Sequence, residues 1–375
     1  MNGLALVLAG GGARAAYEVG VLSALAERAP TLEFPIVTGV SAGAINAVYL
    51  AAHTGQLPVV LESLRDEWKQ LVVDRVYRIH PWRLAGAMLR GAAETLLGTR
   101  RQDAVVQGLV DMSPLHAFLG SRIDFAGVDA NIAAGRLRAL ALSATSYASG
   151  ETVTFVQGAP DVPTWRRALR HAVRARLTLD HLMASAALPI LFPAVRIGDA
   201  FYGDGSLRQT APLAPAIHLG ARAILVITQR SEPELAPRPM PTQRQYPTVA
   251  EVIGLLLHAI FLDALDADAE RVDRINRTLA RLPAGAMPDE LRPVRLLMLR
   301  PSRDLGLLAP ESGARLPPAI RWVVRRMGGD RATAVDFLSY LLFDPAYTSA
   351  LVELGYADGR ANWPRIEEFL AAVGD

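Results

Sequence analysis

The stretch Thr38-Gly39-Val40-Ser41-Ala42-Gly43-Ala44-Ile45-Asn46 restricts the folds open to this chain more than any other. It reads as a strand, Pro35 to Gly39, that turns sharply into a helix from about Gly43. The turn leaves one hydroxyl, that of Ser41, at its tip. Gly39 and Gly43 stand where a close crossing of strand and helix excludes side chains. A serine on such an elbow can attack a carbonyl, and the helix that starts behind it favours negative charge at its first turn. The pattern G-x-S-x-G is short and also arises by chance in a chain rich in alanine and glycine. Its strand–turn–helix context is what gives it weight.

Two further pieces accompany the elbow. Leu4-Ala5-Leu6-Val7-Leu8-Ala9 is an apolar strand ending in Gly10-Gly11-Gly12-Ala13-Arg14, and Tyr17 to Arg28 reads as the helix that follows. Glycine-rich strand-to-helix loops present backbone N–H groups to an anion. A dinucleotide site would need a third glycine where Ala13 and Ala15 stand, and a Walker loop would need the missing Gly-Lys-Ser/Thr. An oxyanion hole for the carbonyl that Ser41 attacks fits better. The last piece is Phe201-Tyr202-Gly203-Asp204-Gly205-Ser206. An aspartate between glycines can approach another backbone closely, although Asp-Gly alone is usually just a turn.

Taken in order, Gly10-Gly11-Gly12-Ala13-Arg14-Ala15, Gly39-Val40-Ser41-Ala42-Gly43 and Asp204-Gly205-Ser206 resemble the patatin-like phospholipase family, as does Ala184-Ser185-Ala186-Ala187-Leu188-Pro189 before the aspartate. The family carries G-G-G-x-[KR]-G, G-x-S-x-G and D-G-[GA]. Ala15 and Ser206 depart from it, each by a small residue. The resemblance covers roughly residues 1 to 230. It implies an α/β fold of three layers, with a central, mostly parallel sheet between helices. It also implies a serine acyl-ester hydrolase with a Ser–Asp dyad acting on phospholipids or lysophospholipids, with no metal or cofactor. Ser41 would be the nucleophile and Asp204 its base. The amides of Gly11, Gly12 and Ala13 would hold the oxyanion. Gly10, Arg14, Gly39, Gly43 and Gly205 would support them, with Arg14 bracing the loop.

Alternatives stay open beside it. The same dyad could cleave other acyl esters or thioesters, or the fold could serve a non-catalytic lipid-binding protein. An ordinary α/β-hydrolase would place its histidine after Asp204, where only His218 and His258 stand. It would also place several strands before its elbow, whereas here the elbow strand is the second. Neither His53, at the end of the elbow helix, nor His181 lies in a triad motif.

The rest of the chain adds organisation. Thirty-nine basic residues against 37 acidic ones leave a net charge of +2, too balanced for a nucleic-acid partner. There is no cysteine, hence no disulfide or thiolate site. No run of about 20 residues is apolar enough to span a membrane. The N-terminal apolar run reads as a first strand, not a signal peptide; with the lack of cysteine this suits the cytoplasm, with peripheral membrane contact as an open option. Nothing in the sequence sets an oligomeric state. Residues 1–302 read as one hydrolase domain with a Pro-rich loop at 231–248, and 303–375 as a C-terminal helical extension with Trp322, Phe337, Leu341, Phe343 and Phe369 facing inward.

Within the hydrolase domain, residues 57–101 read as helical, with an apolar stripe at Trp68, Val72, Val73 and Val76. The part at 84–97, flanked by Arg83, Arg90, Arg100 and Arg101, is either a lid or a buried surface-layer helix. Ser113-Pro114-Leu115 starts a short helix. Arg138–Thr145 and Thr152–Gln157 read as strands. Trp165, Arg166, Arg167, Arg170, His171, Arg174 and Arg176 crowd one segment at helical spacing, either a solvated face or a basic patch for anionic lipid headgroups. A strand at Ala221–Thr228, a long helix from Val249 to Leu282 and a strand at Val294–Leu299 returning to the sheet complete the reading.

Overall fold

The computed structural model describes residues 3–79, 108, 110–189, 191–231, 246, 252, 255–256, 263–283, 291–313 and 339–374. The segment 84–97, nearly all of the Pro-rich loop, most of 249–262, His80, His258, Trp322 and Phe337 lie outside them.

Among the described residues ten strands form one sheet. Its centre is β1 (Leu4–Leu8), buried at every position because both faces are covered. Parallel to it on one side run β2 (Ile36–Val40) and then β3 (Ala139–Ser146). On its other side run β9 (Ala223–Ile227) and β10 (Arg295–Leu299), again parallel. The return of 294–299 to the sheet therefore occurs as the sequence suggests. Beyond β3 lie β4 (Thr152–Gly158), antiparallel to it, then β6 (Arg170–Arg174) and β5 (Arg166–Arg167). A ribbon of β7 (Val195–Ile197) and β8 (Ala200–Asp204) joins through β8, which pairs antiparallel with the end of β3.

The side-chain alternation of β1 divides two cores. Leu4, Leu6 and Leu8 face α1 (Ala16–Arg28), α2 (Ala42–Ala52) and α3 (Leu57–Lys69). Ala5 and Val7 face α7 (Ala214–His218) and α8 (Ala264–Leu279). Between α3 and α7 come α4 (Ser113–Arg122), α5 (Ala126–Ala133) and α6 (Leu179–Ser185). The result is the mixed α/β architecture expected, a mostly parallel sheet between helical layers. No helix of the described residues is long and apolar enough to cross a membrane.

The C-terminal helices are part of the larger core. After α9 (Leu305–Glu311), α10 (Pro345–Ala361) lies against α1, and α11 (Trp363–Gly374) follows it. Tyr347, Leu351 and Val352 of α10 are buried with Leu22 and Leu25 of α1. The two helices approach until backbone meets backbone. A Cβ on Gly20 would sit 2.1 Å from the Val352 carbonyl oxygen, and one on Gly355 2.2 Å from that of Tyr17.

Two expectations change. The helix expected over 57–101 stops at Lys69, followed by a single turn at Val73–Val76 and a strand at Arg78–Ile79. Of the expected stripe, Trp68 and Val76 are buried but Val72 is exposed. The arginine-rich segment is a strand hairpin, β5–β6, with Leu169 at φ 58° in its turn. Ala172 and Trp165 pack into the core on one side, so the chain follows a two-residue period there, and pairing with β4 holds it extended. Its basic groups are largely engaged. Glu151 meets Arg166 at 3.5 Å and His171 at 3.0 Å, Asp129 meets Arg176 at 3.1 Å, and Arg174 donates to the carbonyls of Gly158, Ala159, Pro160 and Val162. A helical basic face does not exist here.

Gly20→Ala and Gly355→Ala should each force α1 and α10 apart. Overpacking of this kind costs about 1–3 kcal/mol. Urea unfolding should show a lowered midpoint for both, and a midpoint equal to wild type would contradict the contact.

Candidate active site

Register along β3 brings the site together. β2 pairs with β3 as far as Val40 opposite Ser143. At the next residue β8 takes over that edge, with Asp204 opposite Ala144. The strand that runs into Ser41 and the strand that ends in Asp204 therefore meet end to end along one neighbour. Residues far apart in sequence are set side by side by consecutive positions of a third strand.

The elbow itself is tightly held. Ser41 has φ 55° and ψ −132°, a conformation that costs a non-glycine residue on the order of 1–3 kcal/mol. Three contacts hold it there. A Cβ on Gly43 would lie 2.4 Å from the Ala9 carbonyl oxygen, so α2 begins directly on the end of β1. The Ser41 N–H donates to Ser185 Oγ at 3.1 Å, and that hydroxyl donates to the Ser143 carbonyl at 2.7 Å. The Ala44 N–H donates to the Ser41 carbonyl at 3.0 Å.

Asp204 is fully buried. Its N–H donates to the Ala187 carbonyl at 2.8 Å, and its carbonyl accepts from Thr145 Oγ1 at 2.8 Å. Oδ1 accepts the Ser206 N–H at 2.9 Å, while among the described residues no hydrogen bond of ordinary geometry reaches Oδ2. Burial raises the carboxyl from 3.8 to about 6, opposed by the nearby Ser41 hydroxyl and by the Ser206 amide and hydroxyl. The Ser41 hydroxyl thus lies close enough to favour the charged form without closing a bond of ordinary geometry. Gly205 is required because a Cβ there would lie 2.2 Å from the Ser143 carbonyl oxygen. Tyr147, half-exposed at the rim, has its hydroxyl against Gly203, and burial and Asp204 raise its pKa.

The glycine loop runs from Gly10 into a short 3₁₀ turn, Gly12–Ala15. The Gly11 and Gly12 amides make no hydrogen bond among the described residues. The Ala13 N–H does: it donates to the Tyr340 carbonyl at 2.9 Å. Of the three expected oxyanion donors, Ala13 is therefore occupied in this structure. Arg14 is only 2% exposed and turns away from Ser41 toward Ser339 and Tyr340.

Behind the loop sits a polar cluster that no motif announces. Glu18, fully buried on α1, accepts from Asn46 Nδ2 at 2.8 Å and from Gln229 Nε2 at 3.1 Å. Asn46 also donates to the Ala15 carbonyl and accepts from Trp68 Nε1, tying the elbow helix to the loop and to α3. Gln229 also donates to the Ala9 carbonyl, and its carboxamide fills the space a Cβ on Gly11 would occupy. Burial raises Glu18 from 4.5 to about 8, although three N–H donors, including that of Ala9, favour the carboxylate. An acidic residue among Tyr17, Val19, Val21 and Leu22 on a buried helix was the available signal for this cluster.

Among the described residues no histidine hydrogen-bonds Ser41 or Asp204. His53 Nδ1 lies 2.7 Å from the Tyr49 carbonyl, and His181 caps α6 with Thr178. His218 stacks on Trp165, with its pKa pushed down to about 4 by burial and by Arg167, Arg170 and Arg292.

The family model for patatin-like phospholipases matches residues 6–217. The chain belongs to the patatin-like phospholipase family. It is a lipid acyl hydrolase in the general sense of that family. No curated protein matches it. Among solved structures it is similar to human GIVD cytosolic phospholipase A2 in complex with methyl gamma-linolenyl fluorophosphonate, at 15% identity and TM-score 0.46, covering 98% of this chain and 58% of that one. It is also similar to VipD from Legionella pneumophila, at 12% identity and TM-score 0.32, covering 90% and 67%. A third is ExoU, in complex with SpcU from the type III secretion system of Pseudomonas aeruginosa, at 16% identity and TM-score 0.29, covering 93% and 74%. The patatin-like chain thus spans little more than half the length of the phospholipase A2.

Ser185→Ala should leave the Ser41 N–H without its acceptor at a strained position. An unsatisfied buried donor costs about 1–3 kcal/mol, which should appear as a lower urea midpoint. Ser185→Ala unfolding at the wild-type midpoint would remove this role.

Glu18 yields a pH prediction. Its folded pKa near 8 lies above its ordinary 4.5, so the folded chain binds more protons between those values. Stability should be fully present below pH 4.5 and fall as pH rises toward 8. Asp204, raised from 3.8 to about 6, acts in the same direction over a lower window. Glu18→Gln should flatten the decline in Tm between pH 5.5 and 8.5. A Tm slope unchanged by Glu18→Gln would mean the side chain is ionised throughout.

Proposed function

We propose that this chain hydrolyses acyl esters of phospholipids or lysophospholipids with a Ser41–Asp204 dyad. The observation that carries the reading is the meeting of β2 and β8 at consecutive residues of β3, which sets the Ser41 hydroxyl beside a buried carboxylate. Asp204 Oδ2 takes the Ser41 proton as Oγ attacks the ester carbonyl. The tetrahedral oxyanion accepts hydrogen bonds from the Gly11 and Gly12 amides. Collapse breaks the ester C–O bond, and the proton passes from Asp204 to the departing alcohol. Water then repeats the sequence on the acyl-serine, with Asp204 as base, and releases the fatty acid.

A carboxylate of ordinary pKa is a poor base for a hydroxyl. Burial lifts that of Asp204 to about 6, nearer the working range while still ionised at neutral pH. Among the described residues no hydrogen bond reaches Oδ2, which leaves that oxygen open to take the proton. The lipid character of the substrate rests on the family.

The test uses kcat/KM on a short-chain p-nitrophenyl ester, followed by a panel of phospholipids, lysophospholipids and acyl thioesters. Ser41→Ala should abolish turnover with circular dichroism unchanged. Asp204→Asn should lose several orders of magnitude, as removal of an essential base does. His218→Gln should keep most of the wild-type rate. Wild-type kcat/KM should fall as pH drops below about 6, where Asp204 becomes protonated. A collapse in His218→Gln with Asp204→Asn near wild type would overturn the dyad.

A further inference from the structure

The family match ends at residue 217, and the sequence after 303 carries no chemical motif. Yet residues 339–343 return to the glycine loop. The Tyr340 carbonyl accepts the Ala13 N–H at 2.9 Å. Gly12 sits beneath it at φ +55°, and a Cβ there would lie 2.0 Å from that same oxygen. Arg14 Nε donates to Ser339 Oγ at 2.7 Å, and Arg14 Nη1 to Tyr340 Oη at 3.2 Å. The Arg14 guanidinium also lies 4.0 Å from the centre of the Tyr340 ring. Ser339 and Tyr340 are both buried. The segment is fixed on its far side, where Tyr77 Oη donates to the Leu341 carbonyl at 2.9 Å and Phe343 packs on Trp68 and Tyr77.

We propose that Ser339 and Tyr340 are positioning residues for the oxyanion loop: by holding Ala13 and Arg14 they fix the Gly11 and Gly12 amides for the carbonyl that Ser41 attacks. The inference rests on the reading of those two amides as the oxyanion donors. Three successive glycines have more backbone freedom than any other tripeptide. An amide donor helps a transition state only if it is already aimed when charge develops. On one side the loop is backed by Gln229 against Gly11. On the other, the first side chain after the glycines is a mere methyl. The required rigidity comes from a carbonyl on the adjacent amide and two acceptors on the adjacent guanidinium. Ser339 and Tyr340 act on kcat through the loop and have no contact with substrate.

The test compares Ser339→Ala, Tyr340→Phe and Tyr340→Ala with Tyr347→Phe. Tyr347 Oη donates to the Leu305 carbonyl at 2.9 Å, a buried bond in the same C-terminal region that does not touch the loop. Measured on full-length protein are kcat and KM for the p-nitrophenyl ester, the rate of fluorophosphonate labelling, and Tm. Displacement of a reacting group by about 1 Å can cost 10²-fold. Tyr340→Ala should therefore lower kcat and labelling rate by about 10- to 100-fold with KM within about 2-fold. Ser339→Ala should lose less, and Tyr340→Phe, which keeps the ring against the Arg14 guanidinium, should retain most of the rate. Tyr347→Phe should lower Tm with kcat unchanged. If Tyr340→Ala does not fold, Ser339→Ala decides. Wild-type kcat in the folded Ser339→Ala and Tyr340→Ala proteins, or equal losses in Tyr347→Phe, would overturn the inference while Ser41-dependent turnover left the dyad standing. Turnover surviving Ser41→Ala would bring down the dyad and this inference with it.

Discussion

The structure depends on the absence of side chains where α2 begins. Gly43 sits on the carbonyls of Leu8 and Ala9, and Gly39 on Ala44 and Ala47, so elbow helix, elbow strand and β1 touch backbone to backbone. No rearrangement of rotamers could accommodate a larger residue there, since the obstructing atoms are backbone and the Ala47 Cβ, which has no rotamer to change. This contact sets the height of Ser41 above the sheet. It also places the glycine loop, which leaves the same end of β1, beside the elbow. The strain at Ser41 is sustained because its N–H, its carbonyl and both neighbouring strands are already committed.

Two buried carboxylates flank that crossing, and their surroundings differ. Glu18 accepts N–H donors that join the loop, α2 and the residues after β9. Asp204 keeps one oxygen without a partner and faces the Ser41 hydroxyl. On the proposed reading of Asp204 as the base, an open lone pair on Oδ2 is what the Ser41 proton requires, whereas the donors on Glu18 tie its neighbours together. The same burial raises both pKa values, so the pKa values alone would not separate the two roles. The difference in hydrogen-bond partners is what favours the proposed division.

What the sequence made legible was local. The strand at Leu4–Leu8, the elbow and the strand at Arg295–Leu299 each carry their signal within a few residues, and each appears where expected. The pairing of Ser41 with Asp204 was legible only through the family motifs, because it depends on the handover at Ser143 and Ala144 of a third strand. The arginine-rich segment was misread for a related reason. Its arginines fit helical spacing, but Ala172 is too small to announce the two-residue period, and pairing with β4 is a long-range event. The acids that meet those arginines, Glu151 and Asp129, lie outside the segment. Glu18 was not singled out in the sequence: an acid in an apolar helix was the only signal, and nothing local named Asn46 or Gln229 as its partners.

The matched segment, residues 6–217, supplies the chemically suggestive groups, yet much of what holds them lies beyond it. β1 carries the glycine loop, and one of its two edges is closed by β9, which starts after the match ends. Left alone, that edge would present unpaired N–H and C=O groups beside the loop. Gln229, just past β9, lies against Gly11, and Tyr340 covers Gly12 and Ala13. The face of α1 that leads away from the loop is covered by α10, with Gly20 and Gly355 in backbone contact. These contacts join chain segments separated by more than 200 residues, as in the Gln229–Ala9 bond, and cannot form until most of the chain has collapsed. The glycine loop therefore owes its shape to residues far along the chain, Gln229 against Gly11 and Tyr340 over Gly12 and Ala13.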